Sequence, residues 1–308
     1  MMEKLWDVVI VGGGPAGYSA ALYAVRAGYS TLVVEMLSPG GQMATTNAIE
    51  NYPGFVESVD GFELAMTMQQ QAEKFGSETL YAQVTAVQLA GPEKTLTTTE
   101  GTLRAKAVIF ATGADPRPLG LPGEDGLRGR GVAYCATCDG GFYRGKTVAV
   151  AGGGNSAAED ALTLSKLCKK VYLIHRRDTL SATRSYLKPL EKAENIEFLW
   201  NKQVTGFEVD GTLTGLTLTD TQTGAESQLP VDGLFVAIGR QPNTWLVKDQ
   251  LELDRQGYIV ADESCRTSQP GVFAIGDVRT KPLRQVVTAV ADGATASKYL
   301  EEYLNGLD

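Results

Sequence analysis

Cys135-Ala-Thr-Cys138-Asp139 sets two thiols three residues apart and puts a carboxylic acid directly after the second. Thiols at that spacing either share a metal or form a dithiol–disulfide couple. A metal site would need a second pair of ligands. The chain has four cysteines and one histidine; Cys168 and Cys265 are 97 residues apart, and His175 sits in the turn after a predicted strand. A redox couple is therefore expected, and no metal. Reducing a partner's disulfide releases a thiolate that must take up a proton. No histidine neighbours the pair, so Asp139 is the candidate acid, on condition that burial raises its pKa. Cys168, in an apolar helical stretch, and Cys265, in a loop, are expected to be inert.

Two glycine clusters carry the other chemistry. In Asp7-Val-Val-Ile-Val-Gly12-Gly-Gly14-Pro15-Ala16-Gly17 a β-branched run enters Gly-x-Gly-x-x-Gly, and a helical stretch follows from Ala20 to Ala27. Gly12 permits a tight turn, Gly14 lets a pyrophosphate reach the backbone, and Gly17 lets helix pack on strand. The helix N-terminus then faces the phosphates. A second strand, Thr31–Glu35, ends 23 residues after Gly12, where Glu35 can accept hydrogen bonds from ribose hydroxyls. Residues 147–159 repeat the pattern, with Gly152, Gly154 and Ala157 in the three glycine places and a strand, Val171–Ile174, after the helix. There the strand end carries His175-Arg176-Arg177 in place of the acid. Two guanidiniums suit a ribose 2′-phosphate, the mark of NADPH.

Such motifs need parallel strands that end at a common edge, with helices behind them. Val108–Gly113 and Leu234–Gly239 are further apolar strands, each closing on Ala-x-Gly downstream of one glycine motif, so the chain reads as an internal duplication. Gly271–Asp277 is another, and Asp277 at its end can bond a ligand hydroxyl. Ala114–Gly123 and Gly239–Asn243 are the linkers. The predicted fold is α/β, with two Rossmann-like dinucleotide-binding domains, the second inserted into the first. Residues 1–114 and 245–308 form one, and 115–244 form the other with the CxxC pair. The 308 residues suit two domains of about 150 each. The 35 glycines among 308 residues make about 11%, against roughly 7% in average usage, and glycines fall at the two nucleotide turns, at strand ends (Gly113, Gly239, Gly276) and in a linker (Gly120, Gly123). A net charge of −8 makes nucleic acid and anionic membranes poor partners. The apolar run Val8–Val11 is too short for a signal peptide, no run reaches the roughly 18 residues of a membrane span, and the expected compartment is the cytoplasm.

A nicotinamide delivers hydride, whereas a protein disulfide accepts electrons through thiolate chemistry. A flavin joins the two, so the motifs imply NADPH, a flavin and a disulfide in series. Cys138 and Gly152 are only 14 residues apart, which puts disulfide and nicotinamide site in one domain. Both must reach the flavin in the other, so alternating rotation about the two linkers is expected.

These residues closely resemble, over essentially the whole chain, the low-molecular-weight bacterial thioredoxin reductases of the pyridine nucleotide-disulfide oxidoreductase family. The matching stretches are Gly12–Gly17, Gly40-Gly41-Gln42-Met43 with Glu50-Asn51-Tyr-Pro-Gly54, Ala111-Thr112-Gly113, Cys135–Gly140, Gly152-Gly-Gly154-Asn155-Ser156-Ala157-Ala-Glu159, His175–Asp178, and Gly276-Asp277 with Arg284-Gln285. The resemblance implies FAD in the first domain, on the Gly12–Gly17 turn, Glu35, Gly41, Gln42, Asn51, Thr112, Gly113, Asp277, Arg284, Gln285 and Val286. It implies NADPH in the second, on Gly152, Gly154–Ala157, Glu159, His175, Arg176 and Arg177. It also implies a homodimer, a thioredoxin or thioredoxin-like partner, a flavin-facing Cys138, a partner-attacking Cys135 and Asp139 as acid. Two positions depart from the family. Its His-Arg-Arg-Asp-x-x-Arg pattern ends here in Ser181, with the next arginine at Arg184; NADH or a reduced electron carrier is the alternative donor. Gly141 replaces a bulky or apolar residue before Phe142, and another small dithiol protein is the alternative partner.

Overall fold

Alternation along the strands sets the architecture. In β1 (Leu5–Val11), Val9 and Val11 enter one core while Val8 and Ile10 enter another. A strand buried on both faces belongs in a parallel sheet covered on each side. The computed structural model, which describes residues 4–46 and 48–307, shows that arrangement twice. The chain divides into two compact units, Met1–Asp115 with Gln241–Asp308, and Pro116–Arg240.

After β1 come α1 (Pro15–Arg26), β2 (Thr31–Glu35), α2 (Gly61–Lys74), β3 (Glu78–Tyr81), β4 (Val84–Gln88), β5 (Lys94–Thr98), β6 (Gly101–Phe110) and β7 (Ala114–Pro116). The second unit holds β8 (Val132–Ala133), α3 (Ala136–Asp139), β9 (Thr147–Gly152), α4 (Asn155–Ser165), β10 (Lys170–His175), α5 (Arg184–Lys192) and β11 (Ile196–Trp200). β12 (Lys202–Asp210), β13 (Thr212–Asp220), β14 (Glu226–Pro230), β15 (Gly233–Ala237) and β16 (Arg240–Pro242) follow. The chain then returns to the first unit with β17 (Val272–Ala274) and α6 (Val286–Asn305).

The first sheet runs β3-β2-β1-β6, all parallel. The free edge of β6 is shared by antiparallel β5 along its first half and parallel β17 along its second. The second unit repeats the order as β11-β10-β9-β15-β8, all parallel. An antiparallel sheet, β12-β13-β14, covers one of its faces with Leu213, Leu216 and Leu218. The other face packs Val148, Val150 and Phe235 against Ala157, Ala161 and Leu164 of α4. β7 and β16, the two linker strands, pair with each other.

α1 starts at Pro15, earlier than the Ala20 expected from the apolar pattern, because a proline at the first helical position has its φ preset and lacks only an N–H that would go unused. Cys168 lies beyond the end of α4, buried in its core. No described helix is long and apolar enough to cross a membrane.

Candidate active site: two nucleotide turns and a disulfide

In the first unit the glycine turn follows β1 at the edge where the parallel strands end. Gly12 has φ +109°, and a Cβ there would lie 2.5 Å from the Ala111 carbonyl oxygen after β6. At Gly17 a Cβ would strike the Gly12 carbonyl oxygen at 2.0 Å, so α1 approaches the exit of β1 only because residue 17 is glycine. Gly14 differs. A Cβ there has nothing nearer than the Gly40 carbonyl oxygen at 3.9 Å. The chain itself does not need that glycine, and the room it leaves fits a pyrophosphate against the backbone. Gly14 is also the N-cap of α1 and brings no side chain to its amides, which stay available to an anion.

The other first-unit residues gather on the same edge. The Gly13 N–H donates to Glu35 Oε2 (2.7 Å) and the Leu37 N–H to Oε1 (3.1 Å). These two bonds orient the carboxylate at the tip of β2 and leave acceptor positions for a ribose. Gly40 donates to the Gly13 carbonyl (2.8 Å), and Gly41, with φ +54°, faces Gly14. Gln42 Nε2 donates to Asp115 Oδ1 (2.7 Å). Asn51 Nδ2 donates to Gln285 Oε1 (2.9 Å), so two residues far apart in sequence meet at the N-cap of α6. Val286 opens that helix. Thr112 and Gly113 are fixed by Asn243: Thr112 Oγ1 donates to its carbonyl (2.8 Å), and its backbone N–H donates to the Gly113 carbonyl (3.0 Å). Asp277 sits in the 3-10 turn Gly276–Val278. Arg284 is a brace for that turn, donating to the carbonyls of Asp277 and Arg279 (3.2 Å each) with its guanidinium over Tyr258.

The second unit rebuilds the turn with one exchange. A Cβ on Gly152 would meet the Ala237 carbonyl oxygen at 2.4 Å and the Ala157 Cβ at 2.7 Å, so Gly152 makes room for the alanine in the third place. Gly154, the N-cap of α4, again has open space, its nearest neighbour being Ser181 Oγ at 3.9 Å. Asn155 Oδ1 accepts from the Thr183 N–H (2.8 Å), while Ser156 and Glu159 are exposed on the first turns of α4. Arg176 and Arg177 are exposed, and among the described residues neither is in an ion pair. Their loop is held by its backbone, the Arg176 carbonyl accepting from Thr221 Oγ1 and the Arg177 carbonyl from the Asn201 N–H. That leaves both guanidiniums free for a phosphate. His175 lies against Gly153, where a Cβ would be 2.1 Å from the ring, and meets Trp200 edge-on. Burial and the two neighbouring arginines lower its pKa, so it is a neutral wall of the turn. Ser181 donates by N–H and hydroxyl to the Gly153 carbonyl (2.8 and 3.0 Å) and closes the loop over the turn without adding a charge.

Cys135 and Cys138 form a disulfide across α3. Cys135 is the N-cap of that short helix, and its sulfur accepts from the Cys138 N–H (3.2 Å). An amide aimed at that sulfur stabilises a thiolate there after reduction. Gly140 lies tight against Leu164 and Leu167, which seats the redox helix on α4. Burial pushes the Asp139 carboxyl up to about 6. The residue missed from sequence is Asp160 on α4, whose carboxyl burial pushes up to about 7 while the Ala136 backbone N–H and Arg240 work against the rise. Only its register three helical residues after Ala157 could have drawn attention to it. Gly141 and Phe142 follow the pair, both exposed, and Tyr143 is buried against Phe235.

The profile of the pyridine nucleotide-disulphide oxidoreductase family matches residues 6–293. The thioredoxin reductase of Streptomyces coelicolor is 46% identical over 309 residues, spanning 99% of this chain and 96% of that relative. That of Treponema pallidum is 44% identical and spans 99% of each. Among solved structures, the thioredoxin reductase of Streptococcus pyogenes superposes with a TM-score of 0.91 at 42% identity, covering 98% of this chain and 99% of its own. The thioredoxin reductase of Giardia duodenalis does so at 0.92 and 35%, covering 98% and 100%. Two open glycine turns at the ends of parallel strands, one beside a free arginine pair, and a disulfide seated on the second turn's helix agree with that likeness. The chain belongs to the pyridine nucleotide-disulphide oxidoreductase family and, within it, stands with the thioredoxin reductases.

Proposed function

We propose that this chain reduces thioredoxin with electrons from NADPH, passed through FAD and the Cys135–Cys138 disulfide. Residues 1–114 and 245–308 hold FAD, and 115–244 hold NADPH. The observation that carries the reading is the disulfide itself, seated on the helix of the arginine-bearing nucleotide turn with a carboxyl of raised pKa beside it. When bound, the flavin accepts hydride from the nicotinamide and delivers an electron pair to the disulfide.

The protein residues do the rest. Arg176 and Arg177 grip the 2′-phosphate, Gly154 admits the pyrophosphate, and Glu35 takes the ribose of the other dinucleotide. After reduction, the Cys135 thiolate is held by the Cys138 N–H and attacks one sulfur of the thioredoxin disulfide. That bond breaks, and the leaving thiolate takes a proton from Asp139. The Cys138 thiolate then attacks Cys135 Sγ, the mixed disulfide breaks, the second thioredoxin thiolate leaves and takes a proton from solvent, and Cys135–Cys138 is restored. The balance is one NADPH and one proton consumed for each thioredoxin disulfide reduced. The disulfide and the nicotinamide use the flavin in turn, by rotation about the linkers, in a cytoplasmic homodimer.

The test is turnover of thioredoxin with NADPH and NADH, beside stopped-flow bleaching of the bound flavin and chromatographic identification of the flavin released. Cys135→Ser and Cys138→Ser should abolish turnover. Failure of NADPH to bleach the flavin would overturn the assignment of donor. The neutral Ser181 at the third basic position favours one second reading, a donor lacking the 2′-phosphate, and equal bleaching by NADH would support it.

A further inference from the structure

Asp292 lies on α6 and is buried. Its Oδ2 accepts from the Gly276 N–H (2.8 Å), Arg279 Nε (2.9 Å) and Lys281 Nζ (2.8 Å), and its Oδ1 accepts from Arg279 Nη2 (2.9 Å). Arg279 is itself tied to the carbonyls of Asp262 and Thr280, and Lys281 to that of Thr288 in the first turn of α6. One carboxylate thus fastens the start of the Gly276–Val278 turn, the segment after it that carries Arg279 and Lys281, and the helix. The turn has no slack. Gly276 has φ +70°, and a Cβ there would come within 3.0 Å of the Ala16 Cβ in the first turn of α1. Ala16 stands two residues past Gly14, so the height of the Gly276 turn over α1 shapes the wall of the first nucleotide site. α6 is pinned to α1 from the same place: Gly293, next to Asp292, allows the close crossing, and Ser19 Oγ and Ser297 Oγ donate across it.

We propose that Asp292 is a positioning residue for the flavin, holding the Gly276–Val278 turn at the spacing from α1 that admits the cofactor; the proposal rests on the reading of this unit as the FAD site. An amide at 292 turns one acceptor into a donor facing Arg279 and leaves two buried cations without a counter-charge.

The test measures FAD release from full-length holoprotein on dilution, read by flavin fluorescence. Asp292→Asn should weaken FAD by on the order of 10- to 100-fold, the loss of a charge-assisted contact at the site. Lys94→Met is the control. Lys94 is fully buried, bonds Gly91 and Tyr303, and touches neither the turn nor Asp292. It should lower the melting temperature and leave FAD affinity within about threefold. Equal loss of FAD in both variants, or unchanged affinity in Asp292→Asn, overturns the proposal. If Asp292→Asn does not fold, Arg279→Lys, which keeps a cation but loses the fork, must still weaken FAD. A wild-type protein that holds no FAD refutes the cofactor assignment instead.

Discussion

Asp139→Asn separates the two consequences of a half-buried acid. Burial raises this carboxyl from 3.8 to about 6. A shift of about two units corresponds to roughly 3 kcal/mol between the protonated and ionised forms, an upper bound at a site that keeps some contact with water. The folded pKa lies above the unfolded one, so the native state binds the proton more tightly. The cost is absent below about pH 4, grows as pH rises through the interval between the two values, and is complete above about pH 6 to 7. The amide carries no such cost. Urea unfolding of the oxidised protein should therefore show the variant gaining on wild type by up to about 3 kcal/mol between pH 4 and pH 7. Turnover should move the other way. General acids contribute on the order of 100- to 10,000-fold, so thioredoxin turnover should fall by at least about 100-fold, with flavin bleaching by NADPH unchanged. New thiolates beside Asp139 raise its pKa further in the reduced protein. The alkaline limb of the wild-type profile should then lie above pH 6 and disappear in the variant. A variant that turns over thioredoxin within twofold of wild type, or a stability difference independent of pH, refutes this account of Asp139.

Other substitutions probe single contacts. Asp160→Asn should also gain stability on wild type as pH rises from 4 to above 7, since burial raises that carboxyl to about 7; a flat difference in denaturation free energy would contradict it. Gly154→Ala meets no protein atom closer than 3.9 Å, so it should leave the melting temperature unchanged while raising the KM for NADPH about tenfold or more. Gly152→Ala, set against the Ala237 carbonyl oxygen at 2.4 Å, should instead destabilise by about 1–3 kcal/mol on thermal unfolding. Arg176→Ala with Arg177→Ala should raise the KM for NADPH by on the order of 100-fold, leave that for NADH nearly unchanged, and abolish the salt dependence of NADPH binding in steady-state assays.

Much of this was legible because glycine and charge report on backbone geometry locally. The collisions at Gly12, Gly17 and Gly152 are the reason those positions tolerate nothing else, and a strand-turn-helix context reveals them. The acid at Glu35 and the arginines at 176 and 177 occupy corresponding strand ends, and that inversion of charge is visible in the sequence alone. Contacts between distant segments were not readable. Asn51 meets Gln285 across 234 residues, and Asp292 reaches Gly276 only because α6 folds back onto α1. Arg284 has the composition of a ligand contact, yet its guanidinium is taken up by backbone carbonyls and Tyr258. Nothing in the sequence near Asp160 marks it as half-buried beside the redox helix.

The duplication explains why Asp160 matters. In the first unit α1 leaves the amides of its first turn without a side-chain cap and packs its body against α6. Its counterpart α4 presents amides from Gly154 onwards and, on another face, receives the redox helix through Leu164 and Asp160. One helix therefore carries an uncapped glycine turn at its N-terminus and the redox helix on its side. Asp160, half-buried, places its carboxyl against the N-terminus of the redox helix. Reduction puts negative charge on sulfur at that helix, and the like charge raises the affinity of Asp139 for a proton. Proton uptake should accordingly accompany electron uptake, and should shrink in both the Asp139→Asn and Asp160→Asn variants when followed with a pH indicator during reduction. Uptake unchanged in both would place the proton on some other group and remove the two carboxyls from the reaction.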